Sequence, residues 1–147
     1  MNSTSNSARR QTLKSSRLRK HADYLRAYAA GRKRQSVTMS WYLAPQSQDS
    51  GHASQAGRVG LTVSKAIGKA HERNRMKRRM REALRRHVDL VPQGFDLIFH
   101  PRRGVLSMEF TQLEGEIVRI LEIARNDAVR SAKPAATTLS AGMTPTP

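Results

Sequence analysis

Residues 65–87, from Lys65 to His87, carry ten Lys/Arg against two Glu, a surplus of +8 that is half of the formal +16 of the 147-residue chain. This charge has a pattern, and the pattern restricts the fold. On a helical wheel Met76, Met80, Ala83, Leu84 and His87 repeat at i, i+4 and i+7 and make one narrow apolar stripe. Asn74, Arg78, Arg81 and Arg85 fall opposite it, with Lys77 on one flank and Arg75, Arg79 and Arg86 on the other. The spacing therefore predicts a helix that buries one stripe and turns a ridge of guanidinium groups outward. Such a ridge repels itself unless a polyanion lies alongside. Nucleic acid fits best, because guanidinium matches phosphate with bidentate hydrogen bonds. Ordinary solvated helices alternate sign to gain i, i+4 pairs, and here only Glu72 and Glu82 are on hand. A membrane-surface helix would need more apolar area than Met76, Met80 and Leu84 provide.

Length and composition set the frame. Residues 1–16 form a Ser/Asn/Thr/Arg-rich stretch with almost nothing to bury, and 131–147 are rich in Ser, Thr, Ala, Pro and Gly. Both are expected to be disordered, the first as a basic arm, which leaves one domain over 17–130. The first 22 residues have the acid-free composition of an organelle transit peptide but too few apolar residues for its amphipathic helix. A cytoplasmic protein is the expectation. Zero Cys excludes disulfides, zinc knuckles and a thiol nucleophile. No apolar run approaches the ~20 residues of a membrane span.

The remaining chain reads as alternating elements. Arg17 to Ala30 has helical spacing, with Leu18, Ala22, Leu25 and Ala29 as the expected core stripe and Gly31 as the stop. Residues 36–43 alternate as a half-buried strand, with Val37, Met39, Trp41 and Leu43 on one side and Thr38, Ser40 and Tyr42 on the other. Pro45–Gly57 is a polar loop in which a short strand at Gln46–Gln55 is conceivable. Arg58 to Ser64 alternates again; Arg58, Gly60, Thr62 and Ser64 define an uncrowded strip that Ser40 and Tyr42 could extend. Phe95–Phe99 reads as a buried strand. Thr111-Gln-Leu-Glu114 has a capping-box pattern opening a helix to about Arg130, with Leu113, Ile117, Ile120, Leu121 and Ala124 inward. The order is α-β-β-(β)-α-β-α, an α+β chain in which strands 58–64 and 95–99 are joined through the basic helix as a βαβ unit in a mixed sheet.

Several constellations compete for a chemical role. Tyr24 and Tyr28 are i, i+4 neighbours a quarter turn off the expected core stripe, a position that suits a core edge or a stacking platform equally. Tyr42 alternates out of the Trp41 face, and the three together would form a platform for unpaired bases. A P-loop is excluded: seven residues separate Gly60 from Gly68-Lys69 where four are required, and Ala70 replaces Ser/Thr. The eleven acids are dispersed, so no two-metal carboxylate cluster and no catalytic residue are expected. His21, His52, His71, His87 and His100 read as packing or surface residues.

Arg58-Val-Gly-Leu-Thr-Val-Ser-Lys65, then Ile67-Gly68, then Arg73-Asn-Arg-Met-Lys-Arg78 resembles the bacterial ribonuclease P protein component with its Arg-Asn-Arg signature. Arg17-Leu-Arg-Lys20, Asp23-Tyr24, Tyr28 and Gly31 resemble that family's first helix, and Phe95-Asp-Leu-Ile-Phe99 its last strand, so the likeness spans about residues 17–125. The resemblance implies a two-layer α/β sandwich with a left-handed βαβ crossover. It also implies a protein that assists a catalytic RNA in removing the 5′ leader of precursor tRNA, with Mg²⁺ held by RNA and substrate phosphates rather than by protein. Carried over by position, Arg73, Asn74, Arg75, Lys77 and Arg78 would contact the catalytic RNA, and Arg81 and Arg85 extend that ridge. Tyr24, Tyr28, Tyr42, Ser64 and Lys65 would line a cleft for the single-stranded leader, and Arg58, on the same strand face, is counted with them. Ala66, Lys69 and His71 depart from the usual Lys, Asn and Val, and His100-Pro101-Arg102 replaces a more usual Ala-Arg.

Two other readings use the same helix. A ribosomal-protein-like structural RNA binder has no need of the three tyrosines. A helix-turn-helix DNA reader over 72–88 would want a partner helix where strand patterns stand. No membrane and no small-molecule substrate is expected.

Overall fold

The computed structural model describes residues 16–46 and 56–132. All but Ser16 of the expected arm, most of the expected tail and all but Gln46 of the conceivable strand at Gln46–Gln55 lie outside these residues. Seven elements run in the order α1 (His21–Ala30), β1 (Arg32–Gln35), β2 (Met39–Pro45), β3 (Arg58–Leu61), α2 (Ala70–Arg86), β4 (Phe95–Pro101) and α3 (Phe110–Ala132). The four strands form one mixed sheet in the order β1-β2-β4-β3. β1, β2 and β4 are successively antiparallel, whereas β3 and β4 run parallel through α2, as the βαβ reading requires.

The two sheet faces do different work. Met39, Trp41, Leu43, Val59, Leu97 and Phe99 point to one face and meet Met76, Met80, Ala83 and Leu84 of α2 and Leu113, Ile117, Ile120, Leu121 and Ala124 of α3 in the main core. Both helices bury the stripes their spacing predicts. Burial of this apolar area, at roughly 25 cal/mol per Å², is the chief stabilising contribution. His87 closes α2 half-buried, 2.9 Å from Glu114. Glu114 is thus engaged away from any capping box, and α3 begins one residue before Thr111. The Glu109 N–H instead meets Gln112 Oε1 at 3.4 Å.

On the opposite face, among the described residues, lies the single helix α1, over a small cluster of Leu18, Ala27, Ala44 and Ile98 edged by Tyr24, Tyr28 and Tyr42. Here the expected stripe is wrong. Helix α1 starts at His21, Leu18 is buried in the preceding extended segment, and Ala22, Leu25 and Ala29 are exposed. The buried face carries Asp23 and Ala27 because the sheet presents a charged group to it. Arg58 donates to Asp96 from Nε and Nη2 at 2.9 and 3.0 Å and from Nη1 to Asp23 at 3.4 Å. All three residues are buried, and Arg26 adds a 3.0 Å contact to Asp23. A buried carboxylate with a cationic partner outweighs an alanine stripe in choosing which face turns inward. Gly31 sits where expected, for a different reason: it is extended, and a Cβ there would lie 2.3 Å from the Ala27 carbonyl oxygen.

Two strand expectations also change. Val37 is 90 % exposed in the turn before β2 and does not share the Met39–Leu43 face. The fourth strand is Arg32–Gln35, wholly exposed, which pairs β2 with Arg32 opposite Leu43 and Gln35 opposite Ser40. Its charge suits an edge strand, where it discourages pairing with other chains. Arg34 also pins this edge to α3 through Asp127 at 2.5 and 2.9 Å.

Candidate nucleic-acid interface

Strand register places Tyr42 opposite Ile98, Ser40 opposite His100, and Gly60 opposite Ile98 on its other side. Because side chains alternate, Ser40, Tyr42, His100, Gly60 and Thr62 share the α1 side of the sheet. The strip read from the two alternating strands is therefore continuous, and α1 lays its tyrosines across it. Tyr28 is central. Its ring meets Tyr42 edge-on at 4.9 Å between centroids and tilts against Tyr24 at 6.5 Å. Its hydroxyl lies 3.1 Å from Thr62 Oγ1 and 2.9 Å from His100 Nε2. Burial raises the Tyr28 pKa, so this phenol remains a neutral hydrogen-bonding group. Lys33 Nζ stands 5.9 Å from the Tyr42 centroid, a cation at the rim of the aromatic cluster.

Tyr24 occupies a tighter seat. The Leu61 N–H donates to its hydroxyl at 3.3 Å, and the hydroxyl lies 3.4 Å from the Leu18 carbonyl. A Cβ on Gly60 would come within 2.8–2.9 Å of its Oη, Cζ and Cε2 atoms, so only glycine lets the ring lie on the strand. The three tyrosines converge, which their sequence pattern left open.

Among the described residues the basic ridge divides into two halves. Arg73, Asn74, Arg75, Lys77 and Arg78 have no ion pair or side-chain hydrogen bond, and Asn74, Arg75 and Arg78 are exposed. The C-terminal half is neutralised from within. Arg85 meets Glu82 at 2.6 Å, which holds the Glu82 carboxyl below its usual range, and Arg86 meets Glu82 at 3.1 Å and Glu114 at 3.6 Å. Arg79, on the flank, donates to the Met108 carbonyl.

Arg81 differs from both groups. It lines a crevice with Arg17, Tyr24, Val59, Gly60, Leu61 and Leu84. Burial first, and Arg17 second, depress its pKa. A partly desolvated guanidinium beside a second arginine is electrostatically short of an anion.

Ser64 and Lys65 are exposed where β3 leads into a short 3₁₀ turn, and Lys65 has no side-chain partner. Ser64 borders a groove with Ser40, Thr62, His100, Arg102 and Arg103. Arg58, counted with the cleft from its strand face, is the exception. Its guanidinium is 9 % exposed and spent on Asp96 and Asp23, so it anchors α1 instead of meeting a ligand. Sequence reasoning missed His100 as a cleft residue. Continuing the Asp96, Ile98 alternation past Phe99 would have put it on the Tyr42 face.

Among the described residues no three His, Asp or Glu side chains are grouped to hold a metal ion. No described helix is long and apolar enough to cross a membrane.

Comparison with known proteins agrees with this arrangement. The family model described as Ribonuclease P matches residues 13–125. The chain is 34 % identical to the ribonuclease P protein component of Chloroflexus aggregans, over 76 % of this chain and 78 % of that one. It is also 34 % identical to the component from Brevibacillus brevis, over 76 % and 85 %. Among solved structures, the RNase P protein of Staphylococcus aureus superposes with a TM-score of 0.62 at 27 % identity, covering 75 % of this chain and 95 % of that one. The protein from Thermotoga maritima gives 0.61 at 27 %, covering 71 % and 94 %. A shared family model, aligned relatives and a common fold lead to one conclusion: the chain belongs to the ribonuclease P protein family, as a protein component of ribonuclease P.

Proposed function

We propose that the protein acts in the cytoplasm, binding the catalytic RNA of ribonuclease P through α2 and the unpaired 5′ leader of precursor tRNA through the tyrosine cleft. The observation that carries this reading is the pairing of two surfaces. Arg73, Arg75, Lys77 and Arg78 stand on α2 without protein counter-charges among the described residues, Tyr24, Tyr28 and Tyr42 converge on the α1 side of the sheet, and one crevice is lined by Arg81 of α2 and by Tyr24. Ridge cations neutralise phosphates and let two polyanions approach, with counterion release supplying the affinity. The Arg81–Arg17 crevice would accept one further phosphate between ridge and cleft. Tyr28 and Tyr42 offer ring faces to bases without reading their edges, a mode suited to leaders of varied sequence.

Bond cleavage is attributed to the RNA, with Mg²⁺ held by RNA and substrate phosphates. The protein residues bind and orient and supply no nucleophile. Processing of precursor tRNA by the catalytic RNA at limiting Mg²⁺, with and without the protein, tests the assignment. Stimulation by the protein is expected for precursor with an unpaired leader. Absence of stimulation would make the protein a structural RNA binder without a role in processing.

A further inference from the structure

His100 closes the fourth side of the tyrosine cluster, with its ring centroid 5.6 Å from Tyr28 and 5.5 Å from Tyr42. Only one of its nitrogens is used. Nε2 meets the Tyr28 hydroxyl at 2.9 Å, while Nδ1 has no partner and is not among the sealed polar atoms of the described residues. The ring also lines the groove bordered by Ser40, Thr62, Ser64, Arg102 and Arg103. His100 therefore belongs to both the stacking surface and the polar groove beyond it.

The hydrogen-bond chain decides what Nδ1 offers. Thr62 Oγ1 is 3.1 Å from the Tyr28 hydroxyl, so Thr62 can donate to Tyr28 while Tyr28 donates to Nε2. With the chain running in that direction a neutral imidazole carries its proton on Nδ1, whereas the reverse direction, from Nε2–H through Tyr28 to Thr62, would leave Nδ1 an acceptor. Burial, and then Lys33, lower the His100 pKa and keep the ring neutral near pH 7. The groove then presents a donor set of imidazole N–H, two hydroxyls from Ser40 and Ser64, and the Arg102 guanidinium, the Thr62 proton being engaged by Tyr28. Arg102 donates to Gln35 at 2.9 Å, and Arg103 is held by Glu72 and the Ile67 carbonyl. No described carboxylate lines the groove. A donor-rich groove of this kind recognises a phosphodiester.

We propose that His100 is a substrate-contacting residue, donating from Nδ1 to the backbone phosphate that follows the nucleotides stacked on Tyr28 and Tyr42. This rests on the leader-binding reading above and adds a specific linkage and a specific donor. It also gives a role to the departure His100-Pro101-Arg102. Ser40 stands opposite His100 in the sheet, so both side chains emerge on the same face at the groove.

The test uses the complex of full-length protein and catalytic RNA, with precursor tRNAs bearing a single neutral methylphosphonate at successive leader linkages. With the wild-type protein, one linkage should cost about tenfold in affinity, the low end for a hydrogen bond to a charged group. With His100→Ala that linkage should cost nothing further, while other linkages keep their effects. Tyr28→Phe, which retains the imidazole but removes the hydroxyl that orders its proton onto Nδ1, should leave a weaker interference at the same linkage and at no other. Equal interference at every linkage in wild type and His100→Ala would overturn the inference, and so would the same single linkage keeping its full effect in His100→Ala. Tyr42→Ala separates this from the parent reading: if it leaves precursor-over-mature selectivity intact, the cleft assignment itself fails.

Discussion

Replacing Arg58 with Met tests whether this residue is an anchor or an RNA ligand. The guanidinium makes two hydrogen bonds to Asp96, at 2.9 and 3.0 Å, and a third contact of 3.4 Å to Asp23. Asp23 retains Arg26 at 3.0 Å when Arg58 is lost, whereas Asp96, 2 % exposed, keeps no other cationic partner among the described residues. One uncompensated buried charge of this kind costs about 3–5 kcal/mol, a large share of the ~5–15 kcal/mol that holds a domain folded. Arg58→Met should therefore lower the unfolding free energy by about 3–5 kcal/mol in urea titrations. Adding Asp96→Leu should recover most of it, because removing both charges also removes the desolvation penalty. Since Asp23 lies on α1, the single variant should also loosen Tyr24 and Tyr28 and reduce precursor selectivity. A loss below 1 kcal/mol together with weaker, salt-sensitive RNA binding would show that Arg58 acts at the surface and refute the anchor.

Gly60→Ala should cost about 1–3 kcal/mol, read by thermal unfolding, because a Cβ 2.8 Å from the Tyr24 hydroxyl displaces a ring held by two backbone contacts. Tyr42→Ala should weaken precursor tRNA over mature tRNA by about 1–3 kcal/mol in equilibrium binding to the assembled ribonucleoprotein, the worth of one stacked base. His100 has its folded pKa depressed below 6.5, so the unfolded chain takes up its proton first. Its stabilising contribution is then present above pH ~6.5 and lost as pH falls toward the folded pKa. Wild type should accordingly lose stability relative to His100→Ala as pH falls below about 6.5, a difference measured by parallel denaturation curves.

Elements whose fate is decided locally were readable from sequence. Met76, Met80, Ala83 and Leu84 stand out against arginines at a 3.6-residue period, and Leu113 to Ala124 do the same in α3. Met39, Trp41 and Leu43 alternate as β2 does. Decisions made by distant partners were hidden. The inward face of α1 is chosen by Arg58, 35 residues after Asp23. β1 is four exposed residues with no alternation of their own, made a strand by the free edge of β2. The ridge was legible as charge, but its division was not: Glu82 and Glu114 neutralise Arg85 and Arg86 only through side-chain geometry. Tyrosine convergence depended on the register of β2 with β4 and on Gly60 giving room. Sequence suggested the aromatic surface; sheet pairing assembled it.

Whether Arg73–Arg78 lie against RNA is measured most directly by the salt dependence of binding to the catalytic RNA. If about six phosphates are neutralised, log affinity should fall against log salt with a slope of roughly −4 to −5. Arg75→Ala combined with Arg78→Ala should make that slope shallower by about 1.4–1.8, the share of two phosphate contacts. An unchanged slope in the double variant would contradict the assignment of this ridge to RNA.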